Sequence, residues 1–218
     1  MTEIFEEQKK CVLCGKISEH PEMLSMSSCG LPDLDMRPAE VARSSIDMWI
    51  QTCPLCGYCA PDISELIEKS SEVVSSDSYK QQLYNTEFPK LANAFLSYSM
   101  IQENIKDYAA AGLACIYAAW VCDDENADIT AQKCRKKAIA LLQKAMQNGQ
   151  RFTEESGEEE AIIVDLLRRS GQFELAFKMC NDISEKDPKD SIADILRFQR
   201  ILIGDLDTSC HTIAEANF

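Results

Sequence analysis

The spacing of apolar residues predicts helices over most of the chain after residue 62. The clearest pattern lies just before Asn148 and Gly149, where apolar side chains recur at i, i+3, i+4 and i+7 and so share one helix face. Glycine then accepts the left-handed backbone that ends many helices. Corresponding patterns predict helices over residues 62–74, 89–104, 107–121, 126–148, 158–170, 173–184 and 191–203, and a short one over 209–217.

Residues 158–184 resemble the helix pair of a 34-residue tetratricopeptide repeat (TPR). Gly171 stands at the expected turn, Ala176 is the small residue of the second helix, and Pro188 stands at the closing position. The first-helix aromatic is missing, because Glu160 takes its place. We therefore expect an array of helical hairpins, with an earlier, degenerate pair over residues 107–147. The alternative is an irregular helical domain with one chance match.

Before residue 62 the pattern changes to short strands and turns. Residues 45–52 alternate between apolar and polar side chains, which predicts a strand that leads directly into Cys53. Residues 4–10 predict a weaker strand before Cys11. Pro38 can open a short helix over residues 39–44, because its fixed φ suits the first helical position. Five of the seven prolines lie in this part of the chain, which favours turns there.

Cysteine gives the first 60 residues a specific chemistry, because six of the 11 cysteines lie there. Residues 11–15 (CVLCG) and 53–57 (CPLCG) share a C-x-x-C-G pattern. In such a turn, called a knuckle below, two thiolates point to one side and glycine accepts a positive φ. Four thiolates in a tetrahedron suit Zn²⁺. The sequence therefore predicts a structural zinc ion held by Cys11, Cys14, Cys53 and Cys56.

Other ligand sets remain open at this point. The run Cys53, Cys56 and Cys59 also occurs in iron–sulfur proteins, although the matched knuckle at residues 11–15 would then be unused. Cys59 and Cys29 are expected to be small buried side chains, and His20 a surface imidazole, but each could join the metal. Cys29 belongs to a 38-residue insertion between the knuckles, which must loop out.

The rest of the insertion and a later basic cluster are interpreted as structural. We expect Asp35, Arg37 and Glu40 to pair with one another and so pin the insertion to the zinc ribbon; the alternative is a polar recognition surface. The basic residues within 133–137 are expected to form a solvated face with local charge pairing. Together these patterns predict a mainly α protein, with a small zinc-ribbon-like α+β lobe over residues 1–63 and a TPR-like helical domain over residues 64–218.

Charge and hydropathy limit the classes of partner and the cellular compartments that we expect for the protein. The net charge is −14, so the chain repels phosphate backbones and we expect no nucleic-acid partner. The longest apolar run, residues 108–122, is shorter than the ~20 residues of a membrane span. Residues 1–10 do not resemble a secretory leader. We therefore expect a cytoplasmic protein whose clustered cysteines bind metal rather than form disulfides.

A closed four-thiolate site leaves no open coordination position for a substrate, so it stabilises a fold and catalyses nothing. Two histidines and no visible nucleophile–base–acid set also argue against an enzyme. The favoured hypothesis is a zinc-binding protein–protein interaction or scaffold module, whose helical-repeat groove takes a protein or peptide partner. The alternative is a redox-responsive regulator or iron–sulfur protein that uses Cys53, Cys56 and Cys59.

Three segments resemble a family of uncharacterised bacterial proteins that join a four-cysteine, zinc-ribbon-like segment to TPR-like helices. The segments are residues 11–15, residues 34–64 (LDMRPAEVARSSIDMWIQTCPLCGYCAPDIS) and residues 165–177 (DLLRRSGQFELAF). The resemblance implies metal binding and a bacterial cytoplasm. It implies no reaction.

Overall fold

The architecture is mainly α-helical, with a small α+β segment at the N-terminus. The computed structural model describes residues 4–23, 29–155, 157–186 and 188–216. The strands are β1 (Ile4–Lys10), β2 (Ile17–Met23), β3 (Gln51–Thr52) and β4 (Cys59–Ala60), and they pair antiparallel as β1–β2 and β3–β4. The helices are α1 (Ser70–Ser75), α2 (Asp77–Leu83), α3 (Lys90–Asn104), α4 (Tyr108–Asp124), α5 (Asp128–Gln147), α6 (Glu158–Arg169), α7 (Phe173–Ser184) and α8 (Asp190–Gly204).

The helix predictions from α3 to α8 agree with the structure to within a few residues at each end. Pro89 precedes α3, and the Asp107 carboxylate caps α4 by accepting from the Ala110 N–H at 3.0 Å. The helix predicted from residue 62 begins only at Ser70, because Asp62 Oδ1 accepts from the Ser64 N–H and closes a local turn instead. In place of the last predicted helix there is one 3₁₀ turn, Ile213–Ala216, and residue 217 lies outside the described residues.

The predicted strand over residues 45–52 is wrong for most of its length. A 3₁₀ segment spans Arg43–Trp49, Ile50 after it is extended, and only Gln51–Thr52 forms a paired strand, β3. Ile46 lies on the 3₁₀ segment and Ile50 on the extended backbone after it, and both are buried in the helical core. The segment also begins later than the helix predicted from Pro38. The strand predicted over residues 4–10 is confirmed as β1.

Helices α4 and α5 make the most extensive contact between two helices. Gly112 permits this approach, because a Cβ built there would lie 2.5 Å from Leu142 Cδ2 and 3.3 Å from the Leu142 backbone nitrogen. Leu142 is fully buried and cannot simply swing away. The missing side chain of Gly112 therefore allows close helix packing at this crossing.

The substitution Gly112→Ala tests this contact. Alanine gains up to about 1 kcal/mol of helix propensity, but overpacking costs about 1–3 kcal/mol, so we expect a net loss of about 1–2 kcal/mol in the free energy of unfolding. Urea denaturation measures this loss. Gly204→Ala is the matched control, since nothing lies within 4 Å of its added methyl. A Gly112→Ala protein as stable as the control would contradict the close packing.

The insertion between the knuckles is pinned to the helices, not to the ribbon as expected. Asp35 Oδ2 accepts from Trp120 Nε1 at 2.9 Å and pairs with Arg169 Nη1 at 2.5 Å. Arg37 Nη2 pairs with Asp124 Oδ2 at 2.6 Å. Only the Arg37 backbone N–H makes the expected local contact, to Asp35 Oδ1 at 3.4 Å. The insertion thus joins the end of α4 to the end of α6.

The basic residues of α5 divide into two kinds. Lys133 is exposed and pairs with Glu87 Oε2 at 2.8 Å, as a solvated face predicts. Arg135 is buried instead, and its guanidinium binds both carboxylate oxygens of Asp123. Because Arg169 also pairs with Asp123 at 2.7 Å, Arg135 belongs to the same ionic network as Asp35.

The N-terminal segment and the helices share their apolar cores. Ile46, Ile50 and Cys59 belong to the cluster that α3 to α8 form, while Tyr79 and Ile101 belong to the cluster around the knuckles. The division into residues 1–63 and 64–218, and strict TPR geometry for the hairpins, remain predictions. Within the described ranges, no helix combines the length and the apolar character needed to cross a bilayer.

Candidate metal centre

The first knuckle forms the tip of the β1–β2 hairpin. The Cys11 N–H donates to the Lys16 carbonyl at 2.8 Å, and the Gly15 N–H donates to the Cys11 carbonyl at 2.9 Å. Gly15 has a φ of +76°, which a side chain would strain. The knuckle therefore closes with its two sulfurs on one side.

The second knuckle repeats this geometry between β3 and β4. The Cys53 N–H donates to the Tyr58 carbonyl at 2.9 Å, the Gly57 N–H donates to the Cys53 carbonyl at 3.0 Å, and Gly57 has a φ of +77°. Two segments far apart in the chain thus adopt one turn, as their common C-x-x-C-G pattern predicts. The Val12 N–H donates to the Ile63 carbonyl at 2.9 Å and links the first knuckle to the segment that follows β4.

The four knuckle sulfurs face one another. All of them lie within 4.8 Å of one another, and the two shortest contacts cross between the knuckles. Cys14 Sγ lies 3.5 Å from Cys53 Sγ, and Cys11 Sγ lies 3.7 Å from Cys56 Sγ. The structure therefore brings together all four predicted ligands, and this group could hold a metal ion.

Hydrogen bonds from backbone N–H groups favour the thiolate form of the two buried cysteines. The sulfurs of Cys11 and Cys53 accept hydrogen bonds from the N–H groups two and three residues later. Burial opposes ionisation of Cys53, but these bonds and the neighbouring sulfurs outweigh it and lower its pKa to about 7. Burial raises the pKa of Cys11 and of Cys56. Adjacent thiolates repel one another, so a cation is needed to hold all four ionised.

The remaining candidate ligands lie apart from this group. Cys59 is buried and hydrogen-bonds through sulfur to Thr52 Oγ1 at 3.4 Å, so the three-cysteine run does not converge. Cys29 is exposed, contrary to expectation. His20 is 8% exposed rather than a surface imidazole, and its Nε2 lies 2.9 Å from Ser18 Oγ. Burial lowers the pKa of His20.

Few polar contacts attach the hairpin to the second knuckle. Lys9 Nζ pairs with Asp62 Oδ2 at 2.9 Å, and Gln51 Nε2 donates to Glu22 Oε1 at 2.8 Å. Every residue of β1 except Lys9 is exposed. The second knuckle, in contrast, is followed by Tyr58 and Cys59, which are fully buried. The hairpin is thus held by the cysteine cluster together with the Val12 to Ile63 hydrogen bond and the packing of β2, in which His20 is buried.

Tyr79 of α2 supports the second knuckle, a role that sequence reasoning missed. Its hydroxyl donates to the Gly57 carbonyl at 2.9 Å and accepts from the Cys59 N–H at 3.1 Å, and the side chain is fully buried. Burial raises the pKa of this phenol, so it stays a donor. No local pattern marks Tyr79, because its partners lie about twenty residues earlier in the chain.

We expect Tyr79→Phe to lower the free energy of unfolding by about 1–3 kcal/mol, because two buried backbone groups lose their partner. Chemical denaturation of the metal-loaded protein measures the change. Tyr84→Phe is the control, since Tyr84 is 72% exposed and its hydroxyl can bond water. Equal stability of the two variants would show that the Tyr79 hydroxyl does not support the knuckle.

Comparison with known proteins identifies the family. A family model described as "Uncharacterized protein conserved in bacteria (DUF2225)" matches residues 4–203, a range that contains both knuckles and α1 to α7. No curated protein and no solved structure gives a significant match to the chain. The resemblance inferred from the three sequence segments is confirmed, and the chain belongs to this uncharacterized family of proteins conserved in bacteria.

Proposed function

We propose that the protein is a zinc-dependent binding module, in which one structural zinc ion fastens the hairpin to the helical part. The observation that carries this proposal is the convergence of Cys11, Cys14, Cys53 and Cys56. All four donors are thiolates, which favour zinc or iron over magnesium or calcium. A closed four-thiolate shell leaves no position for a substrate, so the metal stabilises the fold.

The spacing of the sulfurs supports a single ion. Four sulfurs at about 2.3 Å from one zinc ion stand about 3.8 Å apart at the corners of a tetrahedron. The contacts of 3.5 and 3.7 Å are close to this value. In a four-iron cluster each cysteine binds a different iron, which sets the sulfurs farther apart. The geometry therefore favours one metal ion over a cluster.

Metal analysis of the purified protein, together with its absorption spectrum, tests the metal's identity. We expect one zinc per chain and a colourless protein, because zinc has a filled d shell. One iron per chain, with absorption in the visible range, would show that the bound metal is iron rather than zinc. A protein purified without metal and unable to take up zinc would contradict the proposal as a whole.

A cleft beside the second knuckle is the proposed site for a protein or peptide partner. It has a volume of about 580 Å³ and lies between the knuckle and the segment that joins α2 to α3. Gly57, Leu83 and Phe88 line it, and the exposed ring of Tyr84 stands beside them. Leu55, at the tip of the same knuckle, is 67% exposed. An aromatic and an aliphatic anchor beside a cleft are typical of peptide recognition.

Affinity capture from the native cell tests the partner site. We expect wild-type protein to retain a partner that Tyr84→Ala loses, because truncation removes the aromatic anchor. Leu206→Ala provides the control, since Leu206 is 65% exposed and lies just after α8. Identical captured proteins for all three chains would exclude this cleft as the partner site.

A further inference from the structure

The two knuckles match in backbone geometry but differ in the exposure of their second cysteine. The first cysteines, Cys11 and Cys53, are each 1% exposed. Cys56 is partly buried, whereas Cys14 is exposed at the tip of the hairpin. One cysteine of the cluster is therefore exposed to solvent while two others are buried.

The exposed cysteine also has a buried partner within reach. The contact of 3.5 Å between Cys14 Sγ and Cys53 Sγ is shorter than the 3.7 Å between Cys11 Sγ and Cys56 Sγ. Forming a disulfide requires the two sulfurs to approach to about 2.05 Å, so a movement of about 1.5 Å is sufficient. Cys14 lies at the exposed tip of the hairpin, where a movement of this size needs no change in the buried part of β2.

We propose that Cys14 is a modification site for hydroperoxides, and that its oxidation releases the metal; this inference rests on the proposed zinc site. The Cys14 thiolate attacks one peroxide oxygen, the O–O bond breaks, and Cys14 becomes a sulfenic acid while an alcohol or water leaves after protonation. The Cys53 thiolate then attacks the Cys14 sulfur and forms an S–S bond, and the hydroxide that leaves takes a proton. Two sulfurs supply the two electrons that reduce the peroxide.

Oxidation in this order removes two of the four ligands. A disulfide sulfur carries no negative charge and binds zinc weakly, since the thiolate is the ligand. Cys11 and Cys56 alone cannot complete a tetrahedron, so the zinc ion leaves. The new Cys14–Cys53 bond keeps the hairpin tethered to the second knuckle, which allows a reductant and zinc to restore the original state.

Two other exposed cysteines must be removed before the test. Cys29 and Cys210 lie outside the cluster, and oxidation of either one would complicate the peptide mapping. Burial and the hydrogen bond from Cys210 Sγ to Asp33 Oδ2, at 2.9 Å, raise the pKa of Cys210 to about 12, so its thiol stays protonated. Serine at either position replaces the thiol by a hydroxyl of similar size and leaves all four ligands intact.

The test treats the zinc-loaded full chain carrying Cys29→Ser and Cys210→Ser with one equivalent of hydrogen peroxide. A chromogenic chelator follows the released zinc, and peptide mapping without reductant identifies the disulfide. We expect one zinc released per disulfide formed, and Cys14 linked to Cys53. Cys14→His replaces the oxidisable ligand by a nitrogen ligand, so peroxide should release its zinc at least about tenfold more slowly.

The possible outcomes distinguish a failure of the oxidation inference from a failure of the proposed zinc site. A chain that holds one zinc and keeps it under peroxide overturns only this inference, as does a first disulfide within one knuckle. Equal release from Cys14→His also overturns it. If the Cys14→His protein does not bind zinc, peptide mapping of the variant with Cys29→Ser and Cys210→Ser is the only test of the inference. A first disulfide other than Cys14–Cys53 then overturns it. A chain that holds no zinc before peroxide contradicts the proposed function instead.

Discussion

Replacing Cys53 by serine should remove the metal and free the β1–β2 hairpin while the helices stay folded. Serine is a poor zinc ligand, and three remaining thiolates cannot close the tetrahedron. Structural zinc sites supply about 10–16 kcal/mol in small zinc-binding peptides, so the loss is the largest expected for any single substitution here. Metal analysis should show loss of the zinc ion from the purified variant.

Hydrogen exchange should locate the damage in residues 4–23. The hairpin carries two of the four ligands, and the polar contacts that join it to the rest outside the cluster include Val12 to Ile63, Lys9 to Asp62 and Glu22 to Gln51. The segment after the second knuckle has an additional anchor in α2, because the Tyr79 hydroxyl binds the Gly57 carbonyl and the Cys59 N–H. We therefore expect amides of the hairpin to lose protection and amides of α4 and α5 to keep it.

Cys29→Ser is the matched control, because Cys29 is exposed and its sulfur lies outside the cluster. This variant should keep its zinc and the protection of the hairpin. A Cys53→Ser protein with full zinc content would show that the ligand assignment is wrong. Loss of protection throughout the helices would show that the metal stabilises the whole chain rather than the hairpin.

The second large effect is expected from Asp35→Asn, which should lower the free energy of unfolding by about 3 kcal/mol. Asp35 is buried, with Trp120 Nε1 and Arg169 Nη1 bound to the same oxygen. Asparagine preserves the shape but removes the charge, and breaking one partner of a buried ion pair typically costs about 3–5 kcal/mol. Because Arg169 keeps its second partner, Asp123, we expect a loss at the lower end of this range.

Asp47→Asn, in the same insertion but exposed, should change stability by less than about 0.5 kcal/mol. Chemical denaturation at neutral pH compares the two variants with wild type. If Asp35→Asn matched Asp47→Asn, the contacts of Asp35 would not contribute to stability. In that case the insertion would be attached to the helices mainly by apolar side chains such as Leu34.

Acid should reveal the same contact. Burial opposes ionisation of Asp35, but Arg169, Arg135 and Trp120 outweigh it and lower the pKa of its carboxyl below the usual range. A lowered folded-state pKa gives stability that is present above the unfolded-state value of about 3.9 and lost as the pH falls through the folded-state value. Asp35→Asn should therefore lose less stability than wild type between neutral and strongly acid pH.

The cysteine cluster could be predicted because its two halves are local patterns. In each knuckle, four residues and a glycine determine the turn, and positive φ at Gly15 and Gly57 follows from the sequence alone. The helices were predictable for the same reason, since their apolar spacing and caps such as Asp107 act within a few residues.

The long-range contacts could not be predicted in this way. Asp35 and Arg169 are 134 residues apart, and nothing near either residue indicates its partner. We expected Asp35 to pair locally with Arg37, whereas the helices offered a buried site with several donors. The role of Tyr79 was missed for the same reason, because its partners Gly57 and Cys59 lie about twenty residues earlier in the chain. The strand predicted over residues 45–52 failed over its first part because a buried apolar side chain such as Ile46 fits a 3₁₀ turn as well as a strand.

X-ray absorption spectroscopy at the zinc edge of the metal-loaded full chain tests the central claim most directly. It measures the kind, number and distance of the atoms bound to the metal. We predict four sulfur atoms at about 2.3 Å, supplied by Cys11, Cys14, Cys53 and Cys56, with no nitrogen or oxygen in the shell. A shell that contains oxygen or nitrogen, or fewer than four sulfurs, would contradict a closed four-cysteine zinc site.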